Sequence, residues 1–203
     1  PAVTEAGRDG CPALVTLDVE GVLLPEIWIA VAERTGIDAL RRTTRDEPDY
    51  DRLMHGRLEL LAQHGLTMSA ISEVIGELAP LDGAVEFLDE LRTRTQVILL
   101  SDTFGEFARP LMAQLHWPTI FCHNLRVEGD RIVGYRLRMQ DQKRHAVLAF
   151  QKLGYRVVAA GDSYNDVSML LAADAGFLFR APANVKAEFP QLRSCGTYAE
   201  LGF

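Results

Sequence analysis

The sequence predicts an α/β fold: a doubly wound, Rossmann-like, mostly parallel sheet, with a small helical cap inserted after the first strand and a β-hairpin later in the chain. Three observations carry this. Short, continuously apolar runs alternate with segments of helical periodicity, the pattern of a parallel sheet covered on both faces. Three helical segments stand between the first two apolar runs, more than one crossover connection needs. Residues 124–138 hold two alternating runs around Glu128, Gly129 and Asp130, a hairpin signal.

Taken in order, residues 13–18 (ALVTLD) read as a buried strand ending at Asp18, with Gly21 and Pro25 marking a loop behind it. Residues 26–36 read as a helix stopped by Gly36, and 37–48 as a polar loop ending at Pro48. A helix over 49–64 has Asp49 as N-cap and Gly65 as its stop, and another over 69–79 starts at Ser69. Gly83 opens a helix over 84–94, in which Ala84, Phe87, Leu88 and Leu91 share one face. Then come a strand at 97–102 (VILLSD), a helix near 104–115, a short strand at 119–122 and the hairpin. The chain continues with a helix at 142–153, a strand at 155–162 and a helix at 165–173. A strand at 175–179 and a short helix at 183–189 follow. The expected division is a core of 13–24 and 81–203 with a cap of 25–80.

Composition narrows the function classes. With 48% hydrophobic and 24% charged residues, the 203-residue chain reads as one core domain with a modest insertion, which excludes a disordered or collagen-like protein. Twenty-eight acidic against 21 basic residues give a net charge of −7, which argues against nucleic acid. Cys11, Cys122 and Cys195 form no CxxC pair, so a disulfide framework or zinc knuckle is not expected, and a reducing, cytoplasmic setting is. No apolar run reaches the roughly 18 residues of a membrane span. Residues 1–12 read as a flexible leader with no secretory signal. His55, His64, His116, His123 and His145 lack metal-ligand spacing and read as structural or surface residues. Trp28 and Trp117 read as packing residues, and Cys122 as a small buried hydrophobe at a strand end.

Ligands of open α/β sheets sit beyond the carboxyl ends of the strands. The polar residues collected there are Asp18 and Glu20, then Ser101, Asp102 and Thr103, then Asp162, Ser163, Asn165 and Asp166, with Lys143 opening the preceding helix. Three carboxylates on one edge repel one another unless a cation sits among them, and an all-oxygen set suits Mg²⁺. A hydroxyl and a lysine on the same rim can hold phosphate oxygens. Together they form a kit for phosphoryl transfer. In the cap, Met54, Arg57, Leu58 and Leu61 share a helix stripe, so Arg57 must be paired or face a cavity. Glu26 stands where the cap begins.

LDVEGVL, LLSDT, Lys143 and GDSYND, in that order, resemble the four motifs of the haloacid dehalogenase-like phosphatases, over nearly all of 13–190. VEGVLLPEIWIAVAERTGIDALRRTTRDEPDYD, LDGAVEFLDELR and VVAAGDSYND resemble the narrower bifunctional phosphoserine phosphatase/homoserine phosphotransferase family. The resemblance implies Asp18 as nucleophile and Glu20 as general acid and base. It implies Mg²⁺ held by Asp18, Asp162 and the backbone carbonyl of Glu20, with Asp166 orienting the ligands. Ser101, Asp102, Lys143 and Asn165 would bind the phosphoryl group or substrate. Glu26 would take the substrate ammonium and Arg57 its carboxylate, with Met54 lining the same pocket. Phosphoserine and homoserine are the implied small-molecule partners, in amino-acid and serine biosynthesis. Most of the wider family has aspartate two residues after the nucleophile; Glu20 departs from it and matches the narrower family.

Plainer readings stand beside these. Asp162 or Ser163 could cap the next helix, and Ser101 or Thr103 the helix near 104. Lys143 could belong to a solvated cationic face with Arg144, and Arg57 could pair with Glu33. A phosphatase of another small ester, or an aspartate-phosphorylated signalling module, would share the acid cluster. The hairpin could offer an edge for a homodimer.

Overall fold

The computed structural model describes residues 10–44, 46–47 and 49–201. The leader reading therefore lies mostly outside the described residues, as does Pro48.

Seven strands form one sheet: β1 (Ala13–Leu17), β2 (Gln96–Phe104), β3 (Thr119–Glu128), β4 (Arg131–Arg136), β5 (Arg156–Gly161), β6 (Ala175–Phe179) and β7 (Arg193–Cys195). Their order is β4-β3-β2-β1-β5-β6-β7, parallel throughout except for the antiparallel β3–β4 pair. Leu14–Leu17 are buried on both faces, which is why β1 reads as an unbroken apolar run. The chain winds from β1 outward to β2 and β3, then returns to β5 on the other side of β1. The winding reverses at β1, and there the carboxyl ends of β1, β2 and β5 flank a crevice.

The helices are α1 (Ile27–Thr35), α2 (Tyr50–His64), α3 (Met68–Gly76), α4 (Ala84–Arg94), α5 (Gly105–Gln114), α6 (Gln142–Lys152), α7 (Val167–Ala172), α8 (Ala183–Glu188) and α9 (Tyr198–Leu201). The predicted punctuation operates in α1 and α2. Gly36 and Gly65 close them in the left-handed region, at φ 71° and 62°, and the Asp49 side chain accepts from Arg52 N. α3 begins earlier than expected, because Thr67 supplies the cap by accepting from Ala70 N. The loop predicted over 37–48 contains a turn of 3₁₀-helix, Asp38–Arg41, whose Leu40 is fully buried.

The inserted helices α1–α3 do not build a second core. Ile27, Val31, Met54, Leu61, Ile71 and Ile75 share one apolar cluster with Leu17, Leu99, Phe104 and Phe107 on one face of the sheet. A second cluster, including Leu14, Leu100, Val147, Val157 and Leu178, fills the opposite face.

Two sequence expectations are corrected here, the separate short strand ending at Cys122 and the packing role of Trp117; the burial of His123 fits its structural reading, and the last elements carried no expectation. The short strand at 119–122 and the first arm of the hairpin are a single strand, β3, so Cys122 lies inside a strand and is half-buried. His123 interrupts the apolar run yet is buried, because polar partners described below satisfy it. Trp117 is 63% exposed: His116 and Trp117 both adopt positive φ after α5, which turns the indole outward. Beyond α8 the chain adds β7 and α9, which lack a periodic signal.

The hairpin tip is committed within the chain. Asp130 accepts from Met68 N through its carbonyl and from Ser69 N and Oγ through its carboxylate, capping α3, and Tyr135 Oη donates to Asp51 on α2 at 2.5 Å. All three cysteines are unpaired. Among the described residues no helix is long and apolar enough to cross a membrane.

Candidate active site

The residues gathered from three strand ends converge on one cavity. Asp18 follows β1 directly, with its backbone N–H bonded to Ala160 O on β5. The next residues fold into a tight loop in which Val19 O accepts from Leu23 N and Leu24 N. Gly21 makes that loop possible: its φ is +80°, and a Cβ there would lie 2.4 Å from Asp162 Oδ2. Gly161 is equally constrained, since a Cβ would lie 2.4 Å from Asp166 Cγ. The two glycines bring the acids of β1 and β5 together.

Asp18, Asp162 and Asp166 are buried and each offers an oxygen within 4.8 Å of the others. Lys143 reaches among them from the first turn of α6, with Nζ 2.8 Å from Asp18 Oδ1, 2.7 Å from Asp166 Oδ1 and 3.5 Å from Asp102 Oδ2. This replaces the solvated-face reading, because Lys143 is 2% exposed. Burial, with the like charges of Asp166 and Asp162, holds the Asp18 carboxyl well above its ordinary range against the pull of Lys143. Burial alone would lower the Lys143 ammonium, but Asp102, Asp166 and Asp18 outweigh it and raise the group well above its usual value.

Asp166 has no oxygen left free. Oδ1 meets Lys143, and Oδ2 accepts from Asp162 N at 2.9 Å and Ser163 N at 3.1 Å. Ser163 and Asp166 thus close a reciprocal capping box on the 3₁₀ turn Tyr164–Asp166, so the capping alternative is realised by Ser163. Neither Ser101 nor Thr103 caps α5, whose N-cap is Phe104. Ser101 is buried in the cavity wall, with Oγ accepting from Thr103 N. The Thr103 side chain lies beside Glu20, a neighbour that the sequence left undecided.

Glu20 accepts from Ile27 N at 2.9 Å and thereby fixes the first turn of α1 to the loop after β1. Burial pushes its carboxyl above the ordinary range, although the bond from Ile27, the neighbouring Thr103 and the Arg57 and Lys143 charges oppose the shift.

The inserted helices supply the opposite wall, where Glu26, Trp28, Tyr50, Leu53 and Arg57 line the cavity. Arg57 does not pair with Glu33, which binds Arg41. One Arg57 nitrogen donates to Arg42 O at 2.7 Å and another meets Met54 Sδ at 3.6 Å, while Nε is buried with no partner. The guanidinium lies 4.6 Å over the Trp28 ring, so Trp28 packs, as read, and also orients the cation. Burial lowers Arg57 to about 10, against the charges of Glu20, Tyr50 and Glu26. Met54 is fully buried behind Arg57, and its neighbour Leu53 faces the cavity instead.

Asn165 donates to Asp102 Oδ2 at 3.0 Å, and Tyr50 Oη donates to the Asp102 carbonyl at 2.9 Å, tying α2 to the end of β2. Sequence reasoning missed Tyr50, Gln142 and the role of His123. Buried Gln142 donates to Ser101 O and to Asp102 Oδ1.

A buried acid cluster crossed by one lysine, at the reversal point of a doubly wound sheet, defines a phosphoryl-handling enzyme of the haloacid dehalogenase type. The chain belongs to the haloacid dehalogenase-like hydrolases, whose family model matches residues 12–174. It is 60% identical over 189 residues to phosphoserine phosphatase ThrH of Pseudomonas aeruginosa, covering 93% of this chain and 92% of that protein. It is 57% identical over 202 residues to a phosphoserine phosphatase of Pseudomonas syringae pv. tomato, covering 99% and 85%. Its fold matches a phospho-aspartyl intermediate analogue of phosphoserine phosphatase with a TM-score of 0.76 at 21% identity, over 91% of this chain and 93% of that one.

Proposed function

We propose that the protein hydrolyses phosphoserine through a phosphorylated Asp18 and passes the same phosphoryl group to homoserine when that alcohol is present. The observation that carries this reading is the single cavity with Asp18, Glu20 and Lys143 on one wall and Glu26 and Arg57 on the other. A phosphate ester that is also a zwitterion fits both walls. The buried, unpartnered Nε of Arg57 calls for an acceptor, which a substrate carboxylate supplies. The 57–60% identical relatives named for phosphoserine support the same choice.

The donor set fits Mg²⁺. Three buried carboxylates face one ammonium, and oxygen-only ligands are what this ion takes. Asp18, Asp162 and the Glu20 carbonyl would hold it, and bound there it offsets the charge of the carboxylates and the phosphoryl oxygens. Chelation is expected to stop turnover and added Mg²⁺ to restore it; a chelated enzyme at full rate would remove the metal from the account.

The protein's own groups do the rest. Ser101 and Lys143 hold phosphoryl oxygens while a carboxylate oxygen of Asp18 attacks phosphorus and the serine oxygen leaves. Glu20, whose carboxyl burial pushes above the ordinary range, is the acid that gives a proton to that oxygen. The resulting carboxylate takes a proton from the next nucleophile, water or homoserine, which releases phosphate or phosphohomoserine and regenerates Asp18. The inserted helices act as a cap whose closure limits water. Glu20→Gln is expected to slow release of a seryl group by about 10²–10⁴-fold and to slow an aryl phosphate far less, because a phenolate leaves without a proton. Equal losses on both esters would reject the acid role.

Arg57→Ala is expected to raise KM for phosphoserine by about 10- to 100-fold, the scale of charge-assisted hydrogen bonds. It should leave phosphoethanolamine, which lacks the carboxylate, nearly unchanged. A parallel loss on both would mean that Arg57 serves the fold and not the carboxylate. The function itself is tested by product analysis with a panel of phosphate esters, with and without homoserine. Phosphoserine should lead the panel and phosphohomoserine should appear. A sugar or nucleotide phosphate in first place overturns the substrate; no phosphohomoserine overturns the transfer alone.

A further inference from the structure

We infer that Gln142 and His123 are positioning residues that act through Asp102 to aim Asn165 and Lys143 at the phosphoryl group. The inference rests on the phosphoryl-transfer reading above. Both side chains are buried, at 2% and 3% exposure, and they line not the cavity of Asp18 but an adjoining one that shares Asp102, Lys143 and Asn165 with it. Their polar atoms converge on one carboxylate. Asp102 Oδ1 accepts from Gln142 Nε2 at 3.2 Å and lies 3.5 Å from His123 Nε2. Its other oxygen, Oδ2, accepts from Asn165 Nδ2 at 3.0 Å and lies 3.5 Å from Lys143 Nζ.

The outer partners fix the direction of each donor. Arg138 N donates to His123 Nδ1 at 3.1 Å, so a neutral imidazole carries its hydrogen on Nε2, facing Asp102. Arg138 Nε donates to Gln142 Oε1 at 3.1 Å, which turns the amide NH₂ toward Ser101 O and Asp102. Arg138 is itself laid 4.7 Å over the Phe121 ring. Asp102 is thus gripped on the side away from the cavity, and its free rotation about Cβ–Cγ is lost. Burial would raise the Asp102 carboxyl, but Lys143, the nearby His123 and the bonds from Asn165 and Gln142 hold it well below the usual range.

The consequence is a division of labour between the two oxygens. With Oδ1 satisfied from behind, only Oδ2 faces the site, and it orients the Asn165 amide without drawing Lys143 out of its place between Asp18 and Asp166. Remove the donors behind, and an under-solvated carboxylate competes with the phosphoryl group for the lysine. Groups that orient reacting side chains in this way typically change rates by about 10–100-fold when lost.

The test uses the full chain with Mg²⁺, assayed on phosphoserine and on p-nitrophenyl phosphate. Gln142→Met, Asp102→Ala and their combination are compared. Each single change is expected to lower kcat about tenfold or more, and the double variant to be no slower than Asp102→Ala alone. Multiplied losses, or Gln142→Met at the wild-type rate, overturn the relay. If Gln142→Met does not fold, His123→Gln and His123→Asn take its place. Glutamine can reproduce the Nε2 donor toward Asp102, whereas asparagine reproduces only the Nδ1 side. Glutamine should therefore be the faster by about tenfold, and equal rates overturn the proposal. Wild-type protein silent on phosphoserine but active on p-nitrophenyl phosphate would overturn the substrate, and the relay is then decided on the second ester. Silence on both overturns both.

Discussion

Asp18→Asn is expected to lower phosphoserine turnover by about 10⁴-fold or more, the scale on which removal of a covalent nucleophile acts, with the fold retained. The amide keeps the size and the contact with Ala160 O, which comes from the backbone. It also removes a negative charge from a cluster in which burial and like charges already strain Asp18. Stability should therefore hold or rise while chemistry stops, and that opposite movement separates loss of the nucleophile from loss of the fold. Thermal melts beside single-turnover kinetics read both. Activity at even one per cent of wild type would mean that another group attacks phosphorus.

Lys143→Met is expected to cost both stability and rate. Lys143 is the ammonium between Asp18 and Asp166, with Asp102 close by. Removing one partner of a buried ion network typically destabilises by about 3–5 kcal/mol, and losing a positioned cation from a charge-developing transition state slows it by about 10²–10³-fold. The pH dependence fixes the cause. Without the ammonium, the Asp18 carboxyl, already held above its unfolded value, loses the one charge that opposes the shift, so the folded state binds its proton more readily. Stability then falls as pH rises through the folded value of Asp18, and the deficit is smallest in acid, where Asp18 is protonated. Denaturant unfolding across pH, without metal, measures this; a deficit independent of pH would contradict the electrostatic origin.

Much of the site was legible because its residues stand at ends of apolar runs, where a β-strand must deliver them to one edge of the sheet. Asp18, Ser101 and Asp162 follow from that rule alone, and Gly21 and Gly161 show why the ends can approach so closely. The rest depends on three-dimensional neighbours. Leu53 and Met54 differ by one step on a helix, about 100° of rotation, and spacing alone could not say which faces the cavity and which supports Arg57 from behind. His123 broke the apolar signal of β3 because it is polar; only the Asp102 carboxylate and Arg138 N explain its burial. β7 holds just Arg193–Cys195, and its pairing with Phe177–Phe179 makes it a strand where its own composition does not. The partner of Arg57 Nε was invisible to any reading of the chain, since among the described residues no protein atom fills that place.

In the proposed reaction phosphoserine donates its phosphoryl group to Asp18. The most direct measurement is rapid acid quenching of the enzyme during turnover of phosphoserine, followed by peptide mass spectrometry. One phosphoryl group is expected on the peptide containing Asp18, formed before free phosphate, lost in Asp18→Asn and discharged faster when homoserine is added. Phosphate released with the peptide unmodified throughout, or the modification found on another residue, would contradict it.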